Sequence, residues 1–569
     1  MKPYPTQRTR AAALSLLALL ALTPAAATDY FVAPDGDDGA AGTSPQAAWA
    51  TLARAQRVRL RPGDRLLFRR GGVWQGGLRL ERIAGSPAAP VVVGAYGQGP
   101  APLFDGTYSP RWTRVGPGLY RTAMAEGGEP GLLHYRGQPR PRLTVLRFPD
   151  PPAGLRPGAV LLQLEGGYRA FVVRAVRGRL VSGVTFFKLA PGVPVHVRQL
   201  EDGREEQWPE PLPPPEIVAD PAGLTRPGEW LWSPEERAVY LRSDVPPASA
   251  GVRLARVRWG LRLASASHVR VEDLAFRGMG EVGVLVQASD HVVLRGLTVQ
   301  GVGSSGHKTG ILLFGSRDSA VEDCRVEDVM GNGVAVYAFG PPGALERRAW
   351  NNRIAGNTVL RAGAAGISLA TDFPPQAELV QHNRVENNRV EGANRYSYDA
   401  AGIYTLFVGG GNVIAGNTVT GGGSSRLRSA GIMLDVGTAP TRVEGNRLED
   451  NSNGGVALTG PGHVLRGNRM ARNCAPSWDC AQLVLFPVRA NGGATASENR
   501  LEAGPGQKLV LRLATPRFPV APSSFDRNAY AATDPRPFCW SESWSCTRWL
   551  SFTEWQRLGF DQHASFTQR

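Results

Sequence analysis

Gly402-Ile403-Tyr404-Thr405 and, one turn later, Ile414-Ala415-Gly416-Asn417-Thr418-Val419 make a two-part phrase that this chain repeats. The first part returns as Gly366-Ile367-Ser368-Leu369, Gly431-Ile432-Met433-Leu434 and Gly455-Val456-Ala457-Leu458. The second returns as Ile354-Ala355-Gly356-Asn357-Thr358-Val359, Val443-Glu444-Gly445-Asn446-Arg447-Leu448 and Val464-Leu465-Arg466-Gly467-Asn468-Arg469-Met470. Copies recur every 22 to 36 residues, with apolar positions alternating and no helical spacing. A strand unit this short cannot bury its apolar face alone, so the copies must stack; the pattern predicts an all-β parallel β-helix, a solenoid. Inward Val, Ile and Leu should form aliphatic ladders. Asn357, Asn388, Asn417, Asn446, Asn468 and Asn499 should stack at one turn, with Asn supplying the left-handed backbone and its amides bonding along the axis.

Working outward, the repeat occupies 251–513. Residues 28–106 read as an N-terminal cap and the first coils. Ser44 is a suitable N-cap and Pro45 a suitable first residue for an amphipathic helix carrying Trp49, Leu52, Ala53 and Gln56, which would close the open end of the stack. Arg65-Leu66-Leu67-Phe68, Leu78-Arg79-Leu80 and Val91-Val92-Val93 read as strands. Residues 107–250 break the rhythm and read as an inserted β-rich subdomain, with a hairpin at Trp230-Leu231-Trp232 and Ala238-Val239-Tyr240-Leu241. Residues 514–569 read as a C-terminal cap, in which Ser551-Phe552-Thr553-Glu554 has capping-box spacing for a short helix.

The 569 residues are 42% hydrophobic and 20% charged, a globular composition. The formal charge of +15 is carried almost wholly by Arg, since only Lys2, Lys188, Lys308 and Lys508 are lysines. The arginines are scattered without a dense run, so the charge alone does not specify an acidic partner, and no nucleic-acid partner is expected. Residues 1–27 read as a secretory signal: Lys2, Arg8 and Arg10 precede a short apolar run, and Ala25-Ala26-Ala27 offers small residues for cleavage. The mature protein is therefore expected to be secreted, periplasmic or at the cell surface, free of the membrane and monomeric. Cys474 with Cys480, and Cys539 with Cys546, have the spacing of two short disulfides in an oxidising compartment. Cys324 reads as a buried core thiol. No metal-ligand spacing is present.

Several stretches carry a family likeness: Tyr30-Phe31-Val32-Ala33-Pro34-Asp35-Gly36, Arg61-Pro62-Gly63-Asp64-Arg65-Leu66-Leu67-Phe68, Val91-Val92-Val93-Gly94-Ala95-Tyr96-Gly97, Pro227-Gly228-Glu229-Trp230 and Glu554-Trp555-Gln556. The chain resembles exported right-handed parallel β-helix proteins of the pectate-lyase-like superfamily. That likeness implies a carbohydrate-active protein but leaves the reaction open, because the superfamily holds hydrolases, lyases, epimerases, tailspikes and adhesins. The motifs of the polygalacturonase branch are absent.

Chemistry should sit where the repeat is broken. Asp399, Asp435 and Asp372 flank otherwise apolar strands, and glycoside hydrolysis needs two carboxyls, so Asp399 with Asp435 is the expected pair, with Asp372 or Glu378 in reserve. Tyr396, Tyr398 and Tyr404, with Tyr337 two coils earlier, supply aromatic faces and hydroxyls for sugar rings. A second constellation, His307-Lys308 with Arg428, would suit a polyuronate lyase or epimerase, in which Arg428 binds a uronate carboxylate. No cofactor is expected for a hydrolase; a lyase could use Ca²⁺, although no acidic cage for it is evident. The expected function is a polysaccharide-active enzyme, with hydrolysis ahead of elimination and a non-catalytic glycan-binding role as the third reading.

Overall fold

The computed structural model describes residues 27–569, apart from 125–128, 152–153, 164–168, 186–188, 199–210, 304–307, 341–346, 373, 398, 425–426, 475–479, 487–493, 514–522, 542–545 and 547. The expected signal segment, His307 and Tyr398 lie outside the described residues, as does the side chain of Asp399.

Alternation of apolar residues over three or more positions makes each repeat a set of three short strands, and these stack into three long sheets. Among the described residues each sheet holds thirteen strands. The first opens with Asp29–Val32, the second with Val73–Gln75 and the third with Leu78–Glu81. Register is in-line and parallel throughout the coils, so equivalent residues form columns. Inside the third sheet, Ile311, Val334, Ile367, Ile403, Ile432 and Val456 pair in turn and are all fully buried. Inside the second, Val326, Val359, Val390, Val419 and Leu448 do the same. Each such side chain contributes about 1.5–3 kcal/mol on burial, which makes the stack the stable unit.

The glycine that opens the first phrase is a packing requirement. A Cβ on Gly402 would stand 2.1 Å from Val419 Cγ1 and 2.9 Å from the Gly431 carbonyl, where the corner brings two sheets together.

The Asn column is buried and continuous. Asn357 Nδ2 donates to Asn388 Oδ1 at 2.9 Å, and the relay continues through Asn417, Asn446, Asn468 and Asn499 to Asn528. Each Oδ1 also accepts the backbone N–H of the preceding Asn. One expectation is corrected: the left-handed backbone falls on the residue before each Asn (Gly356 at φ 67°, Asn387 at 54°, Gly416 at 65°), so the Asn stays extended and its amide can point along the axis. Cys324 occupies the head of this column: its N–H donates to Asn357 Oδ1 and its thiol faces the Leu294 carbonyl. It is buried and free, as its sequence context predicts. Two shorter columns, Asn352-Asn383-Asn412 and Asn451-Asn473-Gln482, were not foreseen.

The outward faces differ. On the first and second sheets, arginines and glutamates interlock: Arg295 with Glu322, Arg353 with Glu322 and Glu386, Arg325 with Glu327, Arg389 with Glu391, Arg447 with Glu449. The third sheet instead turns small and apolar residues outward.

The expected N-terminal helix is split. Pro45–Ala47 forms a 3₁₀ turn capped by Ser44, the chain then extends, and Leu52–Ala55 forms a separate α-helical turn capped by Thr51. Trp49 lies between them because its backbone pairs with Phe31 and Ala33, covering the edge of the first strand. At the other end the coils run past 513: Ser524–Asp526, Ala529–Ala532 and Phe538–Ser541 add to all three sheets. Helix Phe552–Arg557 closes the stack with the full capping box of Ser551 and Glu554. Both expected disulfides are present, Cys474–Cys480 and Cys539–Cys546.

Between the first coils and the main stack, antiparallel sheets are built from strands running from Thr107–Tyr108 to Arg253–Ala255, including the hairpin Trp230–Ser233 with Ala238–Arg242. This insert packs along the turns that join the second sheet to the third. Leu132, Leu143 and Val145 meet Met330, Ala364 and Tyr396; Val160, Leu162 and Ala170 meet Leu427 and the Cys474–Cys480 bridge.

Candidate functional site

The third sheet's outer face is where a ligand has room. In register, Leu312, Ala335, Ser368, Tyr404 and Met433 form one outward column. Phe314, Tyr337, Ala370 and Leu406 form the next. Small side chains at Ala335, Ala365, Ser368, Ala370 and Ala400 floor a cleft of about 430 Å³, walled by Phe314, Tyr337, Tyr404 and Leu406. Phe314 and Tyr337 stack with centroids 5.9 Å apart. The insert-side turns bound this cleft at Ser397, and the turns from third to first sheet bound it at Thr371 and Asp372.

Two carboxylates follow third-sheet strands on that side, each held by a tyrosine: Asp372 lines the cleft, while Asp435 lies behind Tyr404, outside the lining. The Tyr337 hydroxyl donates to Asp372, which is exposed. The Tyr404 hydroxyl donates to Asp435 Oδ2 at 2.6 Å, and the Val436 N–H donates to Oδ1 at 2.7 Å. Asp435 is buried. Burial pushes its carboxyl above the usual carboxylate range, against the pull of those two donors. Burial and the Asp372 carboxylate together push the Tyr337 hydroxyl up, so it remains a proton donor. Beneath Tyr404, the interior column is interrupted by Thr405, fully buried, with its Oγ1 3.0 Å from that of Thr438. This inward hydroxyl, Phe314 and the outward alanines were missed at the sequence level; the break of an aliphatic column by a threonine is the signal that could have found the spot.

The structure separates several residues grouped by sequence. Asp399 and Asp435 do not form a pair. Asp399 lies opposite Arg428 and Thr405 opposite Leu434, so Asp435 is level with Leu406, seven residues along from Asp399. At about 3.3 Å per residue that is roughly 23 Å, far beyond the span of an acid–base pair. Aligning coils on their glycines hid this, because one aspartate precedes the strand and the other follows it. Asp372 and Asp435, two coils apart on the same side, are the aspartates brought together. Glu378 is exposed in the 3₁₀ segment Pro374–Leu379.

Tyr396 does not join Tyr404. It is buried against Met330 and Ala364 and lines a different cleft beside the insert. Lys308 forms an ion pair with Glu281 at 3.4 Å and lies four coils from Arg428, about 19 Å at ~4.8 Å per coil, so the proposed lyase constellation is not assembled. Asn394 donates to the Arg428 carbonyl, tying that turn to the next coil.

Among the described residues no helix is long and apolar enough to cross a membrane. The family model described as right handed beta helix region matches residues 253–404 and 351–481. The chain is thus a right-handed parallel β-helix. No curated protein matches in sequence. Solved structures similar in fold include a glycoside hydrolase, 16% identical, with 83% of this chain and 96% of that chain covered and a TM-score of 0.46. A GH136 lacto-N-biosidase from Eubacterium ramulus is 15% identical over 87% of this chain and 66% of its own, with a TM-score of 0.45. A mannuronic acid specific polysaccharide family 6 lyase from human gut microbiota is 10% identical over 89% and 81%, with a TM-score of 0.46. At these identities the likeness concerns the fold.

Proposed function

We propose that the protein is an exported polysaccharide-active enzyme that hydrolyses a glycosidic bond with Asp435 and Asp372. The observation that carries this reading is a pair of tyrosine-held aspartates at an apolar, aromatic-walled cleft, Asp372 in its lining and Asp435 behind the lining residue Tyr404. Asp435, its carboxyl pushed up by burial, is the general acid that protonates the leaving oxygen. Asp372, exposed at the mouth, is the base for an incoming water. Their coils are two steps apart, about 10 Å at ~4.8 Å per step, so the two carboxyls stand too far apart for the ~5 Å of a retaining pair. Phe314, Tyr337 and Tyr404 offer faces for the apolar side of sugar rings.

The test is reducing-end release by the purified protein across a panel of polysaccharides, with the anomer followed by NMR. Hydrolysis with inversion, lost in both Asp435→Asn and Asp372→Asn, is the expected result. Full activity in either variant, or release accompanied by the ultraviolet absorbance of an unsaturated uronate, would overturn it.

A further inference from the structure

The second cleft, between the insert and the coils, has a different character. It encloses about 440 Å³, within the ~300–1,000 Å³ of small-ligand sites. Five arginines line it: Arg140 at the end of strand Gln138–Arg140, Arg174 in strand Arg169–Arg177, Arg226 in the turn before Trp230–Ser233, and Arg361 and Arg395 from successive coils. Among the described residues two carboxylates line the cleft, and both are engaged. Asp328 takes a two-pronged bond from Arg361, 2.7 Å on each oxygen. Glu229 accepts the N–H groups of Thr225 and Arg226. Among the described residues Arg140, Arg174, Arg226 and Arg395 have no carboxylate partner.

That contrasts with the first and second sheets, where arginine after arginine faces a glutamate. All five arginines are exposed, so water and salt screen them in part, yet like charges gathered in one cleft still repel. An anionic ligand is the partner that removes it. Guanidinium forks can donate two parallel hydrogen bonds to a planar carboxylate or to a tetrahedral oxyanion such as a sulfate ester.

We propose that this cleft binds an acidic saccharide segment, its carboxylates or sulfates held by Arg140, Arg174, Arg226 and Arg395. The saccharide identity rests on the polysaccharide reading above; the cation cluster does not. Calorimetric titration of the mature protein distinguishes the sources, using oligogalacturonate as the carboxylated probe, a heparin-derived oligosaccharide as the sulfated probe and a xylo-oligosaccharide as the neutral one. One acidic probe should bind and the neutral one should not. Arg174→Gln/Arg226→Gln/Arg395→Gln should weaken binding by about tenfold or more, because even one charge-assisted contact exceeds the ~1.4 kcal/mol that a factor of ten represents. Arg57→Gln/Arg59→Gln/Arg61→Gln, the same loss of charge on exposed N-terminal positions, should leave it unchanged. Asp435→Asn should bind normally, which separates this cleft from the hydrolytic reading. Equal weakening by both triple variants, equal binding of a single-stranded oligonucleotide, or no binding of either acidic probe overturns the proposal; hydrolysis of a neutral glycan alongside those outcomes would leave the enzymatic reading standing.

Discussion

Asn417→Asp should destabilise the protein at neutral pH and be partly rescued by acid. Asn417 Oδ1 accepts the N–H and Nδ2 of Asn388, both at 2.9 Å, while its own Nδ2 donates to the Val385 carbonyl at 2.8 Å and to Asn446 Oδ1 at 3.0 Å. Truncation to Ala strips partners from the Asn388 N–H, the Asn388 amide and the Val385 carbonyl. At about 1–3 kcal/mol per buried group left unsatisfied, the expected loss is about 3–9 kcal/mol. Asp preserves the two acceptor contacts but aims its second oxygen at three oxygens, those of Val385, Ala415 and Asn446, in a column fully shielded from water. Its folded-state carboxyl is therefore raised above the ~3.9 of an unfolded Asp. A group raised in the folded state contributes its stability below the unfolded pKa and loses it as pH rises through the folded one. The deficit of Asn417→Asp relative to the natural protein should thus shrink from pH 7 to pH 4, as the protonated acid regains a donor, while that of Asn417→Ala stays constant. Guanidinium unfolding followed by tryptophan fluorescence, with all three proteins at both pH values, measures this. A pH-independent deficit for the Asp variant, or a cost below about 1 kcal/mol for the Ala variant, would refute the reasoning.

Tyr404→Phe removes a donor that favours the ionised form of Asp435, so the alkaline limb of the pH–rate profile should move upward; a downward or absent shift contradicts the acid role. Cys324→Asn should be neutral or stabilising in thermal melts, since the new amide would extend the column toward the Leu294 carbonyl; a large loss would show that the head of the column has no room for it. His134 is buried and held down to about 4, first by desolvation and then by Arg277, so its neutral form is the folded one. Its contribution is present above pH 6.5 and is lost as pH falls towards 4, at most about 3 kcal/mol, and His134→Gln should flatten the acid limb of the stability profile.

The fold was legible because a solenoid writes one constraint many times: Gly402 has no space for a Cβ, Ile403 points inward and Asn417 ties two coils, and neighbouring repeats say the same. The ends were harder. Trp49 pairs its backbone with the first strand instead of continuing a helix, an edge effect that local pattern cannot express. The site was half legible. Asp372, Asp435, Tyr337 and Tyr404 stood out as exceptions, but which exceptions meet depends on register, and a strand of about eight residues has two rims. The arginine cleft was not legible at all: its five arginines come from five separate parts of the chain and are indistinguishable in sequence from the paired arginines elsewhere.

The Asn column also gives the solenoid an electrical direction. Every Oδ1 faces its N-terminal neighbour and one N–H of each amide donates to the next coil, from Asn357 to Asn528, while the other N–H returns to a carbonyl of the preceding coil, so the amide C=O dipoles share one direction. The last donor, Asn528 Nδ2, meets the buried carboxyl of Asp561 at 2.8 Å, which also receives the Tyr530 hydroxyl and the Trp555 indole N–H. An acidic group thus terminates the positive pole of the stack. A whole coil could be removed or inserted without disturbing that polarity, whereas loss of Asp561 would leave an oriented chain of amides with no counter-pole.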